Sequence, residues 1–535
     1  MKNNKQSFMQ GVMVLMLSQI IIKVMGLVYK IYLTNKSGFG DTGNAIFSAG
    51  FQVYAMFLAI SSIGVPNVIS QLISAKVAVG DNKGAYRTFK IAISIFGLVG
   101  FLGTVILFSN AKLISNVYLG IPEAEMTIIA LAPSVFIVSI LAVFRGYFNG
   151  RERIKVTANS QSLEQVLKTI FTFAIVEIFS YVSKNNTSMM VAGAAVASTL
   201  STFFSFGYLY ISYIKNKREI WKDVLTSTEY EKESISKIIR NILSIFFPIA
   251  LTSLLGSCNR SIDAFTIVNT ISKFMTTEDA KFQYGILTGK VEGLIVLPYS
   301  FNIAFATTLI PSIAASQATG EINKAIQRIK FSILATILIA LPCTGVFFIF
   351  ADPILKLLFP NAYLGKTMLK LCSLSIVFVA ITQTIGGVLQ GLKKVKEPAI
   401  AIGAGAIVKL VLNLILLPIE GLNINGAIIA TIASHIVVFS ISFYYLKKYV
   451  SINFGIIKFI IKPILATVGM IITAYLIYTR FLNINSQNIR LIISLFSGMG
   501  IYIMLITKLK ILSNDEICML PYGNKLVKTK KARTQ

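Results

Sequence analysis

Uninterrupted apolar runs of about 20 residues recur along the whole of this 535-residue chain, separated by short basic loops. A run of that length is what an α-helix needs to cross ~30 Å of hydrocarbon. In lipid every backbone N–H and C=O must be satisfied by the chain itself, which confines spanning segments to helices and closed barrels. A barrel would show ~10-residue segments of alternating hydrophobicity, and these runs do not alternate. Composition agrees: 13% of residues are charged, against roughly a quarter in soluble domains, and mean hydropathy is +0.73. The expected fold class is an all-α polytopic membrane protein.

Segmenting the runs gives fourteen expected spans, near 8–33, 44–74, 88–110, 126–149, 156–182, 188–214, 240–268, 286–314, 328–350, 368–391, 397–418, 424–446, 460–480 and 488–507. The first begins like a signal peptide, with Lys2 and Lys5 ahead of an apolar run. It continues past 20 residues without a small-residue cleavage site, so it reads as a transmembrane helix. Net charge is +28, yet the placement of the charge argues against nucleic acid as a partner. Of the 50 Lys and Arg, 33 fall on the N-terminal side of the membrane, 11 on the other and six inside spans. That asymmetry is the positive-inside bias. It places both termini in the cytoplasm, with the basic tail Lys525–Arg533 meeting anionic headgroups. Cys258, Cys343, Cys372 and Cys518 are scattered without metal-binding or disulfide spacing, and His435 is the single histidine. Neither a metal site nor a cofactor is expected.

The chain also repeats itself at an offset of about 240. RGYFNGRERIKVTA (145–158) aligns with GGVLQGLKKVKEPA (386–399), and Lys168 falls opposite Lys409. GDNKGAYRTFK (80–90) aligns with GEINKAIQRIK (320–330). Six spans separate the copies, an even number, so the repeat is parallel, as in two-lobed transporters. The expected organisation is an N-lobe over 1–214, a cytoplasmic amphipathic linker over 215–239 carrying the single tryptophan, Trp221, and a C-lobe over 240–450. Two extra helices over 451–510 and a basic tail over 511–535 complete it. The repeat thus comprises two six-helix lobes.

Charges inside spans are the functional signal. Each costs roughly 2.5–3.5 kcal/mol at mid-bilayer, so such groups belong against a partner or a wet hollow. In the first span Gln19, Lys23, Gly26 and Lys30 form one helical stripe, and Lys23 lies ~22 Å along the axis from Phe8. Lys30 is closer to the outer end and could also snorkel to headgroups. The seventh span carries Thr252, Gly256, Arg260 and Asp263; the last two can pair at i, i+3. The fifth places Gln161, Glu164, Gln165, Lys168 and Thr172 on one face, with Glu164–Lys168 an expected i, i+4 pair. Lys409 and Asn413 lie on the eleventh span. Arg145 reads as an interfacial anchor. Lys290 and Glu292 open the eighth span as an outer gate or a polar edge. The Gly-x-x-x-Gly pairs at 146–150 and 387–391 fit either close helix approach or turn geometry. Clustered cations at Lys23, Arg260 and Lys168 suit an anionic ligand such as pyrophosphate.

Three segments carry a resemblance: VFRGYFNGRERIKVTANSQSLEQVLK (143–168), YGILTGKVEGLIVLPYSFNIAFATTLIPSIA (284–314) and LQGLKKVKEPAIAIGAGAIVKLVLNLIL (389–416). They resemble the polysaccharide-biosynthesis and stage V sporulation protein B family. That family is related to the MurJ lipid II flippases within the multidrug/oligosaccharidyl-lipid/polysaccharide exporter superfamily. The resemblance runs over essentially the whole chain. It implies fourteen helices, as two six-helix lobes plus two extra helices around a central cavity that opens alternately to each side, with movement of a polyprenyl-pyrophosphate-linked cell-wall precursor to the outer face. It also implies a basic residue followed by x-x-Gly on the first helix, matched by Lys23-Val24-Met25-Gly26, and a cavity arginine on the seventh, matched by Arg260. Lysine at position 23 replaces the usual arginine fork with a point charge.

The substrate partner is then an anionic lipid-linked saccharide, docking on Lys23 and Arg260 with Asp263 orienting the guanidinium and Lys30 nearby. Gln19, Glu164, Lys168 and Lys409 are secondary candidates, and the protein is expected to act as a monomer among membrane lipids. Coupling to membrane potential or to a monovalent cation is left open by the sequence. Two rival readings stand beside this one. A cation-coupled multidrug exporter of the same fold would need acidic cavity residues, and a membrane enzyme would need a nucleophile–base arrangement or a carboxylate pair.

Overall fold

The computed structural model describes residues 22–227, 233–299, 313, 322–392, 394–481, 486–513 and 516. Among these the chain is helical throughout, without strands. Residues 22–35 form α1, followed by α2 (Gly40–Ser61), α3 (Val65–Ala78), α4 (Asn82–Ser109), α5 (Ala124–Gly150), α6 (Ile154–Val182) and α7 (Thr187–Lys215). A short helix, α8 (Lys217–Leu225), precedes the 37-residue α9 (Ile235–Ile271). The next helix, α10 (Thr277–Gly285), runs on through a π-helical turn at Ile286–Val291 to residue 299. Beyond it lie α11 (Ile322–Ile349), α12 (Ala351–Leu358), α13 (Lys366–Ser373), α14 (Ser375–Gly391), α15 (Lys396–Leu416), α16 (Ile424–Tyr449), α17 (Lys462–Leu476) and α18 (Gln487–Lys508).

Twelve stretches among the described residues are long and apolar enough to span a bilayer. The expected count of fourteen included 8–33 and 286–314, which fall partly outside the described residues. Helices end where the local chemistry ends them. Asp81 caps α4 by accepting from the Gly84 N–H at 2.7 Å, and Asn186 caps α7 through the Met189 N–H. Such caps are worth ~0.5–2 kcal/mol each. The expected single span 44–74 is broken at 62–64, with Pro66 in the first turn of α3, where its missing N–H costs nothing.

Contacts divide the chain into two units, residues 1–294 with 406–430 and residues 295–405 with 431–535. This partition differs from the lobes expected from the repeat. It moves 406–430 into the first unit, where Lys409 and Asn413 on α15 bond to Asp263 on α9.

The first unit has a core of Val65, Ile69 and Ile73 from α3, Phe89 and Phe96 from α4, and Phe144, Tyr147 and Phe148 from α5. Phe89 meets Phe144 edge-on at 5.2 Å and Tyr147 at 4.2 Å. Gly146 and Gly150 let α5 press on α3. A Cβ at 146 would stand 2.7 Å from Ile69 Cβ, and one at 150 would stand 2.8 Å from Ile73 Cβ. In this copy of the Gly-x-x-x-Gly pair, close helix approach is the reason for the glycines.

The second unit packs Leu334, Ile385, Leu389, Leu446, Phe459, Met470 and Tyr502. Within it the buried Tyr502 hydroxyl donates to the Leu338 carbonyl at 2.7 Å.

Candidate functional site

All the described site candidates lie in the first unit. They sort into charges that are closed by a partner and charges that are not.

The first closed group centres on Asp263. Its Oδ2 accepts from Lys409 Nζ at 2.6 Å and its Oδ1 from Asn413 Nδ2 at 3.0 Å, while Asn413 also donates to Thr266 Oγ1 at 2.9 Å. Asp263, Lys409 and Asn413 are all buried. The expected Arg260–Asp263 pair is therefore replaced: at i, i+3 the two side chains diverge, and the carboxylate turns to α15. Asp263 does not orient the guanidinium. The second closed group is Lys290 with Asp41, at 2.8 Å and 0% and 2% side-chain exposure. Lys290 sits in the π-helical turn of α10, and the tight burial of both partners describes a latch between α2 and α10 rather than an exposed gate residue. The third is Arg145, which donates to Glu164 at 2.7 Å and to Ser160 at 3.0 Å. Glu164 thus pairs with α5 and not with Lys168 one turn along its own helix. Arg145 is a packed network member rather than a headgroup anchor.

The open charges gather around Glu292. Lys30 and Arg260 interact electrostatically with Glu292, and Lys23 interacts with Arg260. Among the described residues no carboxylate lies within 4 Å of Lys23 or Arg260. Arg260 is exposed and Lys23, Lys30 and Glu292 are half-buried. Lys30 reaches the Thr288 carbonyl at 3.0 Å, and its stem runs over Gly293, where a Cβ would stand 3.0 Å from Lys30 Cδ. The stripe on α1 faces α6 at Gly26, where a Cβ would meet Gln165 Nε2 at 3.9 Å. Gln19, at the head of that stripe, lies outside the described residues.

Lys168 has a different environment. Its ammonium stands 5.2, 5.8 and 5.4 Å from the ring centres of Tyr29, Phe47 and Phe51. A ring face holds a cation without consuming its hydrogen-bond donors, so the three N–H groups remain available. Lys30 and Lys168 also lie within electrostatic range of one another.

Four cations from α1, α6 and α9 therefore converge, with Glu292 on α10 acting on Lys30 and Arg260 and Glu164 on α6 acting on Lys168. Like charges held together without pairing repel, and an anion with several oxygens relieves that repulsion while meeting their donors. Sequence reasoning singled out Lys23, Arg260 and Lys168 as clustered cations, and the structure places Lys30 within electrostatic range of Lys168 and Arg260. The same reasoning missed Asp41, whose partner is 249 positions away, and it missed the aromatic box, whose rings come from two other helices. Phe47 and Phe51, one helical turn apart, were the available signal.

Helices of membrane length that bring charged side chains together inside the bundle define a multi-pass membrane transport protein. Residues 8–317 match the family model described as polysaccharide biosynthesis protein, and residues 284–415 match that described as MatE. The chain belongs to the polysaccharide biosynthesis protein family, within the exporter superfamily that includes MurJ.

Among relatives from Bacillus subtilis, it is 27% identical to the membrane protein YabM, covering 98% of this chain and 97% of that one. It is 26% identical to lipid II flippase MurJ over 84% of each chain. It is 22% identical to stage V sporulation protein B over 98% and 99%. Of solved structures, lipid II flippase MurJ in an inward closed conformation superposes with TM-score 0.70 at 16% identity, covering 93% of this chain and 98% of that one. An inward-facing multidrug resistance MATE transporter superposes with TM-score 0.65 at 17% identity, covering 82% and 98%.

Proposed function

We propose that this protein is an alternating-access flippase for a polyprenyl-pyrophosphate-linked cell-wall precursor, lipid II or a related lipid-linked saccharide, in a bacterial plasma membrane. The observation that carries this reading is the convergence of Lys23, Lys30 and Arg260 around Glu292, with Lys23 and Arg260 lacking a close carboxylate. The headgroup's pyrophosphate docks on Lys23 and Arg260, with Lys30 and Lys168 extending the basic surface. Glu292 balances Lys30 and Arg260 when the headgroup is absent and yields them to the phosphates when it binds. Asp263, Lys409, Asp41 and Lys290 hold the helices that present these cations. Similarity to MurJ supports the substrate class. The distribution of Lys and Arg supports cytoplasmic termini, and the protein works as a monomer.

The test is reconstitution into proteoliposomes with fluorescent lipid II and, in parallel, lipid-linked sugars lacking the pentapeptide. Lys23→Ala and Arg260→Ala each remove charge-assisted contacts worth ~1.5–3 kcal/mol, so translocation falls about 10- to 100-fold while membrane insertion is unchanged. Wild-type rates in both variants would refute the assignment. The MatE match over 284–415 supports one other reading, export of drugs. An efflux assay in a sensitised host decides it, and the predominantly basic open charges argue for no efflux of cationic drugs.

A further inference from the structure

α8 carries a surface that the transport reading does not use. It starts two residues after α7, a membrane-length helix, ends at Lys215, and that connection fixes it at the headgroup level. Its inner face is anchored: Ile220 and Val224 are buried in the core of the first unit. Its acidic residues are also occupied, Glu219 with Arg153 at 2.6 Å and Asp223 with Arg151. The remaining face is a groove of about 650 Å³ lined by Ile214, Lys217, Arg218, Trp221, Lys222 and Leu225.

Ile214, Trp221 and Leu225 are all exposed, and among the described residues the three basic side chains have no carboxylate within 4 Å. Exposed tryptophan and leucine would be a liability in water. At a bilayer boundary they enter the acyl edge while cations meet phosphates. Trp221 is held in place by the Tyr86 ring at 5.7 Å.

We propose that α8 is a headgroup site for an anionic membrane phospholipid, with the phosphate on Lys217, Arg218 and Lys222 and the glycerol and upper acyl chain against Trp221, Ile214 and Leu225. The pairing of Glu219 and Asp223 with arginines on the other side leaves the groove with basic charges alone among the described residues, so an uncharged or zwitterionic lipid gains less there than an anionic one. Basic residues near an anionic surface contribute about fivefold each to binding, at ~1 kcal/mol per side chain.

Trp221 is the only tryptophan in the chain, so the full-length protein reports on this groove without labelling. The experiment places it in nanodiscs of mixed phosphatidylcholine and phosphatidylglycerol, with bromine on the acyl chains of one lipid or the other at equal mole fraction. Brominated phosphatidylglycerol is expected to quench Trp221 more strongly than brominated phosphatidylcholine. Lys217→Gln, Arg218→Gln and Lys222→Gln combined should equalise the two, whereas Lys217→Arg with Lys222→Arg should keep the difference. These side chains are exposed, and the single variants K217Q and K222Q, each expected to weaken the preference about fivefold, keep the test decidable if the triple variant is poorly folded. Equal quenching by both lipids in the wild type, or a preference that survives neutralisation of the basic side chains, would overturn the proposal.

Discussion

Replacing Lys409 with methionine tests whether Asp263 is part of the framework or of the substrate site. The ammonium is 2.6 Å from Asp263 Oδ2, and both side chains are buried. At an effective dielectric of ~20 the attraction at that distance is about 6 kcal/mol, and much of it offsets the cost of removing both charges from water. The asymmetry between single and double replacement is therefore the informative quantity. Loss of one partner strands a buried charge at a cost of ~3–5 kcal/mol, whereas replacing the pair with apolar or neutral groups of similar volume is close to neutral.

Lys409→Met should lower the thermal midpoint of the purified protein by about 3–5 °C, at ~1 °C per kcal/mol for a chain of this size. Asp263→Asn combined with Lys409→Met should recover most of that loss, since Asn413 Nδ2 can still donate to the amide oxygen at position 263. Translocation by the double variant should return with its stability. The assay is a melt in nanodiscs followed by flipping in proteoliposomes from the same preparation. A double variant that is stable but inactive would refute the framework role and return Asp263 to the substrate site. So would an unperturbed melt of Lys409→Met.

The second buried pair makes a similar prediction in a different place. Asp41→Asn alone should destabilise by ~3–5 kcal/mol, and Asp41→Lys with Lys290→Asp should be more stable than either single change in a chemical-denaturation series. Gly146→Leu should prevent α5 from reaching α3, because even a Cβ there stands 3.0 Å from the Pro66 carbonyl oxygen; reduced folded yield by size-exclusion chromatography is the readout. Docking of α8 should depend on pH. The hydrogen bond from Arg153, with its charge, lowers the Glu219 carboxyl below its ordinary 4.5. A carboxyl depressed on folding stabilises above the unfolded value and loses that contribution as pH falls through the lower, folded value. Trp221 emission should hold steady from neutral pH to about 4.5 and shift below it, and Arg153→Gln should remove the transition.

The sequence alone determined the fold class, because a helix is the only way a twenty-residue apolar run satisfies its backbone in lipid. It also determined which charges are expensive enough to need an explanation, and thereby selected Lys23, Lys30, Lys168 and Arg260. The choice of partners belonged to the tertiary structure. Helical spacing makes Arg260–Asp263 and Glu164–Lys168 the natural pairs, yet each carboxylate pairs with a donor on another helix, Lys409 for Asp263 and Arg145 for Glu164. Local spacing states which groups can meet along one helix. It carries no information on which helix is packed alongside, and in a low-dielectric interior that neighbour sets the energy.

The same physics left Lys23 and Arg260 without a close carboxylate, since the acids nearest to them in the chain were already taken. Everything proposed here about transport rests on those two positive groups being open to an incoming anion. A bound-state structure with the substrate's phosphates far from both would end that account.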